Sequence, residues 1–230
     1  MQFSNAYNKK PYRYMYMQGG QTREKAAAHP YLGVQFSQNL KCNEHVHIAI
    51  TCCKASRILG FVTRNLYKCP KSVKAKAYTT LVRPGMEYSA AIWSPHQATQ
   101  KHKLESIQRK AARFVMHKPC NYKKPDSVTE MLGHFGWPSP EERRDTAWVT
   151  LMYKIVHNLV HIPDIYHPIS MTRSTRVHHG MKFRQYQCNT ESYRHSFFPA
   201  TIPLWNTLPG QAVEAPSLDA FKEVMGAHTN

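Results

Sequence analysis

Basic side chains at helical spacing are the residues of this sequence that could do chemistry. Lys71, Lys74 and Tyr78 lie at i, i+3 and i+7 and therefore share one face of a helix. We expect this face to lie opposite the apolar stripe of the same helix, which consists of Val73, Ala77 and Leu81. Cations in such a row can follow a phosphate backbone, where each one displaces condensed counterions.

A second predicted helix, from about Thr99 to His117, carries two more rows. Glu105, Arg109 and Arg113 recur every four residues, and Lys110 shares a row with Lys103. The alternative for each row is an ordinary solvated face, with Glu105 and Arg109 as a surface pair. The candidate phosphate-contacting residues, including two from a later irregular segment, are Lys71, Lys74, Tyr78, Arg109, Lys110, Arg113, Lys182 and Arg184.

The charge balance favours nucleic acid as the partner. The 230 residues include 31 Lys and Arg against 14 Asp and Glu, which gives a formal net charge of +17. Such a surplus is costly in self-repulsion unless a polyanion offsets it, and nucleic acid is the usual polyanion. The apolar runs are too short to span a bilayer, so we predict no membrane partner.

The spacing of histidine and cysteine does not predict a metal site. Five potential ligands fall in one short window, namely Cys42, His45, His47, Cys52 and Cys53. Zinc sites typically use C-x2-4-C and H-x3-5-H pairs, whereas the two adjacent cysteines here diverge on a helix. His178 and His179 have no nearby Cys. We therefore predict no metal and no cofactor, with free thiols in a reducing compartment.

The acidic residues do not form a recognisable catalytic set. Two-metal phosphoryl transfer needs clustered carboxylates, and the four Asp are dispersed at Asp126, Asp145, Asp164 and Asp219. The doublet Glu141–Glu142 is explained by a capping box that begins at Ser139. The sequence contains no nucleophile elbow and no phosphate-binding glycine loop. We predict no catalytic residue.

Periodicity predicts a mainly α fold. A short N-terminal β-hairpin, formed by the run 12–17 and the run 31–36, precedes a helical bundle with a basic irregular arm. The best helix start is Ser139–Pro140, followed by an apolar stripe from Trp148 to Leu159. The predicted divisions are 1–41 for the hairpin region, 42–162 for the bundle, 163–195 for the basic arm or loop, and 196–230 for a C-terminal helical segment.

Several phrases, taken in order, resemble the C-terminal part of reverse transcriptases of LINE-type (non-LTR) retrotransposons of the jockey-like kind. The resemblance covers roughly residues 30 to 225. No single phrase is specific to this family, but the whole set in this order is. The phrases include Tyr31-Leu32-Gly33-Val34, Leu81-Val82-Arg83-Pro84, Trp93-Ser94-Pro95, Leu104-Glu105-Ser106-Ile107-Gln108-Arg109, Gly136-Trp137-Pro138 and Trp205-Asn206-Thr207-Leu208-Pro209.

The resemblance implies a location within the polymerase. Tyr31 to Val34 would fall in the last palm hairpin, and the chain from about His45 would form the thumb, whose helices track the template–primer duplex in that family. The aromatic–x–Asp–Asp motif of the catalytic palm is missing from this sequence, as are the fingers, and any Mg²⁺ would belong to the missing palm. The resemblance therefore implies a noncatalytic fragment of a nuclear or cytoplasmic, intracellular protein. One partner would be an RNA–DNA hybrid or other nucleic acid. The other would be the missing palm and fingers, in a longer protein of the same retrotransposon.

Two alternatives stay open at this point. The chain could be a decayed retroelement remnant with no selected activity, because a strand pair cut from its palm sheet leaves exposed edges. It could also be a nuclease or polymerase whose scattered carboxylates come together only in the folded structure.

Overall fold

A computed structural model describes residues 17–18, 21–22, 28–31, 34–37, 46–117, 126–163, 168 and 180–228. The predicted mainly α fold is confirmed. The helices are α1 (Val46–Asn65), α2 (Lys71–Ala77), α3 (Arg83–Glu87), α4 (Ala98–Met116), α5 (Asp126–His134), α6 (Pro140–Val156), α7 (Glu191–Arg194), α8 (Phe197–Asn206), α9 (Gly210–Val213) and α10 (Leu218–His228), with a π-helical segment (Tyr78–Val82) between α2 and α3. Within these ranges no helix combines the length and apolar character that crossing a membrane requires.

Two short antiparallel ladders lie near the N-terminus. Strand β1 (Met17–Gln18) pairs with β2 (Gln21–Thr22), and β3 (Ala28–Tyr31) pairs with β4 (Val34–Ser37). Most of the predicted run 31–36 therefore pairs with the strand directly before it in the sequence. Among the described residues it does not pair with the run 12–17. Residues 12–16 of that run lie outside the described part of the chain. Strands separated by only two residues along the chain close a much shorter loop than the runs 12–17 and 31–36 would, which favours the local pairing.

The helices surround two core clusters. The first lies among α1, the π-helical segment, α3 and α4, and includes Leu59, Tyr78, Val82, Trp93 and Leu104 together with Val34 of β4. The second lies among α6, α8, α9 and α10, and includes Met152, Tyr153, Ile202, Trp205 and Phe221.

Helix α6 links the two clusters. Its capping box at Ser139 and Glu142 is formed as predicted, and this fixes where the helix begins. Near its middle, Trp148 Nε1 donates to the carbonyl of Ala90 at 2.9 Å. One turn further, Tyr153 OH donates to the carbonyl of Ala215 at 2.6 Å in the second cluster.

The predicted faces of the helix that begins at Lys71 are wrong. The core side is the i, i+4 series Lys74, Tyr78, Val82 and Met86, all fully buried. Val73 and Leu81, predicted to be core, are exposed, and 53% of the Leu81 surface is accessible. The Tyr–Val–Met series buries more apolar area than the Val–Ala–Leu series, and the aliphatic stem of a lysine can be buried with it.

The predicted basic arm is partly packed against the second cluster. Residues 180–190 are irregular, but Asn206 of α8 binds both backbone groups of Phe183, at 3.0 Å and 2.8 Å. Trp205 Nε1 donates to the carbonyl of Met181 at 2.8 Å. Residues 191–194 form the one-turn helix α7.

A buried polar network around Arg143 joins α6 to the π-helical segment, α3 and α4. The Arg143 side chain, only 7% exposed, donates to the Glu87 carboxylate of α3 and to the carbonyl of Pro138 before α6. It also donates to Gln108 Oε1 of α4 at 2.8 Å. The same Gln108 oxygen accepts from Tyr78 OH at 3.1 Å.

Replacing Arg143 should therefore destabilise the fold far more than replacing Arg83, which binds the same Glu87 oxygen at 2.8 Å but is 32% exposed. We expect Arg143→Met to lower the free energy of unfolding by about 2 kcal/mol or more, because charged and buried hydrogen bonds are removed. Arg83→Met should lower it by less than about 1 kcal/mol. Urea denaturation followed by circular dichroism measures both, and equal losses would contradict the network.

Candidate nucleic-acid interface

Positive charge is concentrated in residues 46–117, which span α1 to α4. This segment contains 13 Lys and Arg but only two acidic residues, Glu87 and Glu105. Nine of the cations are exposed. They are Lys54, Arg57, Arg64, Lys68, Lys71, Lys76, Lys103, Arg109 and Lys110.

Neither acid of this segment is exposed. Glu87 is bound by Arg83 and Arg143 inside the network described above. Glu105 is half-buried, and burial raises its pKa, although the nearby Arg109 acts to lower it. The segment therefore presents exposed cations without a fully exposed carboxylate among them, which is the electrostatic pattern of a polyanion-binding surface.

Three of the residues predicted to contact phosphate lie on this surface. Lys71 is exposed at the first turn of α2, and Arg109 and Lys110 are exposed on α4, against which α2 packs. Arg113 lies on the same helix and is half-buried. Of the two arm residues, Arg184 is exposed and Lys182 is half-buried beside Phe183.

Lys74 and Tyr78 are not on the surface, and their predicted exposure is wrong. Lys74 is fully buried, and its Nζ contacts the imidazole ring of His117, 3.3 Å from Nδ1. The ammonium also lies 5.0 Å from the Phe114 ring centroid and 5.6 Å from that of Tyr67, which is cation–π distance. Burial raises the pKa of Tyr78 to about 12. Lys74 positions α2 against α4, and Tyr78 positions the π-helical segment against α4. Neither buried side chain can touch a phosphate.

The sequence reasoning missed the basic face of α1. Lys54, Arg57 and Arg64 are spaced by three and seven residues, so they lie along one side of a helix, and all three are exposed. The same periodicity that selected the rows on the later helices would have found them. The apolar pattern of α1 drew attention to its buried face instead.

The window of His and Cys residues in which no metal site was predicted lies only partly within the described residues. Cys42 and His45 lie outside the described residues, as do His178 and His179. Cys52 is half-buried and Cys53 is exposed, so the two adjacent thiols face different surroundings. Within the described part of the chain, three potential ligands from distant segments converge, namely His96, Glu191 and His195.

Comparisons with protein-family models, with curated proteins and with solved structures find no match to this chain.

The burial of Lys74 yields a stability test. Lys74→Met keeps the buried stem and removes the charge, so the free energy of unfolding should fall by less than about 1.5 kcal/mol or rise. Lys74→Glu places an acid against aromatic rings and should lower it by about 3 kcal/mol or more. Urea denaturation measures both variants.

Lys76→Glu is the matched control, because Lys76 is exposed on the same helix and its replacement should change stability by less than about 0.5 kcal/mol. A destabilisation by Lys76→Glu as large as that by Lys74→Glu would show that the faces of α2 are assigned incorrectly.

Proposed function

We propose that this chain is a noncatalytic part of a retrotransposon-type reverse transcriptase that grips the phosphate backbones of an RNA–DNA hybrid. The observation that carries this proposal is the surface of residues 46–117, where nine cations are exposed and neither acid is. The choice of an RNA–DNA hybrid rests on the resemblance to the thumb of the LINE-type enzymes.

The proposed contacts are made to phosphates rather than to bases. Lys and Arg side chains that contact phosphate oxygens fix the position of a protein on a duplex without reading its sequence. A hybrid is also recognised more through its shape and backbone than through base edges in its deep, narrow major groove. The proposal therefore predicts weak sequence preference and strong dependence on salt.

The buried groups of the first cluster hold the basic rows in place. Lys74 joins α2 to the end of α4 through His117, which closes α4 in a left-handed conformation with φ of 54°. Tyr78 joins the π-helical segment to α4 through Gln108. The exposed cations of α2 and α4 are thus presented by two helices that buried contacts hold together. No polymerisation step enters the proposal, since this sequence lacks the aromatic–x–Asp–Asp motif.

Charge reversal on these rows tests the proposal. In the whole chain, Lys71→Glu combined with Lys110→Glu should weaken binding to an RNA–DNA hybrid. It should also reduce the slope of log affinity against log salt by about 2, because each phosphate that the protein no longer neutralises lowers the slope by about one. Fluorescence anisotropy across a salt series measures both quantities.

The matched control is Arg194→Glu combined with Lys222→Glu, which changes the net charge equally at two exposed positions outside residues 46–117. The control should leave the salt slope unchanged. If both double variants reduced the slope equally, binding would follow the net charge alone and the assignment of the surface would be overturned.

A further inference from the structure

Two histidines and a glutamate meet at a place that the basic surface does not use. His96 lies just before α4, and Glu191 and His195 lie at the two ends of α7. The potential ligand atoms of all three side chains lie within 4.8 Å of one another. His96 and Glu191 are 95 positions apart in the sequence, so only the fold brings them together.

Local structure fixes two of the three residues relative to each other. Glu191 and His195 are four residues apart, and the His195 backbone N–H donates to the Glu191 carbonyl at 3.2 Å. They therefore lie one above the other on the same side of a helical turn. Thr190 caps this turn, since its side chain accepts from the Tyr193 N–H at 3.3 Å.

The third residue approaches both of them. The His96 and His195 rings stack with centroids 4.2 Å apart and planes within 2° of parallel. His96 Nε2 lies 3.9 Å from the Glu191 carboxylate. The two rings and the carboxylate are therefore in contact range of one another, although the lone pairs of parallel rings do not converge on one point until a ring turns.

The donor set has the composition of a transition-metal site. Two imidazoles and one carboxylate hold Zn²⁺ or Fe²⁺ in open sites, where water completes the coordination. Tetrahedral Zn²⁺ at about 2.0–2.1 Å from each ligand needs ligand atoms about 3.3 Å apart. The present separations exceed that by about 1.5 Å or less. The Glu191 side chain is 76% exposed and can bring its carboxylate closer to the imidazoles by rotating about its own bonds. One of the two stacked imidazoles must also turn out of the parallel arrangement so that both ring nitrogens point at the same ion.

We propose that His96, Glu191 and His195 form a binding site for one divalent transition-metal ion of the Zn²⁺ class. The ion would bridge the segment before α4 to α7, and α7 leads directly into α8 of the second core cluster. Its binding would thus fasten the C-terminal part of the chain to the helical bundle. The site is independent of the proposed hybrid-binding surface.

Titration of the tag-free whole chain with Co²⁺ tests the site directly, because Co²⁺ substitutes for Zn²⁺ and absorbs visible light. We expect one equivalent to bind with d–d bands and without a thiolate charge-transfer band, since the donors are nitrogen and oxygen. His96→Gln, His195→Gln and Glu191→Gln should each weaken binding by more than about tenfold, because even removal of an outer-shell partner costs about 10–100-fold. Zn²⁺ should raise the melting temperature of the unmodified chain.

His161→Gln is the matched control, since His161 is exposed and outside this group, and it should bind Co²⁺ as the unmodified chain does. Should a histidine variant fail to fold, Glu191→Gln decides alone because that side chain is mostly in solvent. Equal Co²⁺ affinity in Glu191→Gln and His161→Gln, or a thiolate charge-transfer band in the unmodified chain, would overturn the proposal.

Discussion

The guanidinium of Arg143 is the contact on which the first core cluster depends. It binds Glu87 of α3, Gln108 of α4 and the carbonyl of Pro138 before α6. Because Gln108 also accepts from Tyr78, one cation fixes the π-helical segment, α3, α4 and α6 together. A buried charge of this kind is tolerated only when it is paired and hydrogen-bonded. Glu87, one of the two acids in residues 46–117, supplies the pairing charge, while Arg143 Nη2 is buried without a hydrogen-bond partner in the described part of the chain.

This use of Glu87 shapes the outer surface as well. A strongly basic chain can fold only if its cations stay hydrated or find partners, since a buried unpaired charge is very costly. Most cations of residues 46–117 stay in solvent, while Lys74 is buried with its ammonium against a histidine and two aromatic rings. With Glu87 engaged inside and Glu105 half-buried, the helices α1, α2 and α4 present cations that no exposed acid of the segment offsets.

The sequence predicted those parts of the fold that depend on interactions between residues close together in the chain. Helix α4 and the capping box of α6 follow from periodicity and from Ser139 with Glu142. The buried face of α2 could not be assigned in this way, because Lys74 occupies a core position and a search for apolar periodicity counts every lysine as polar. The Arg143 network and the group of His96, Glu191 and His195 join residues far apart in the chain, so no spacing rule could select them.

Hybrid binding by the whole chain across a salt series tests the central claim most directly. An RNA–DNA duplex should bind tightly at low salt, with little dependence on its sequence. If six or more cations contact phosphates, the affinity should fall by about 10³-fold or more between 50 and 200 mM salt. A cooperatively melting chain that does not bind the hybrid at low salt, or whose affinity is unchanged by salt, would contradict the account.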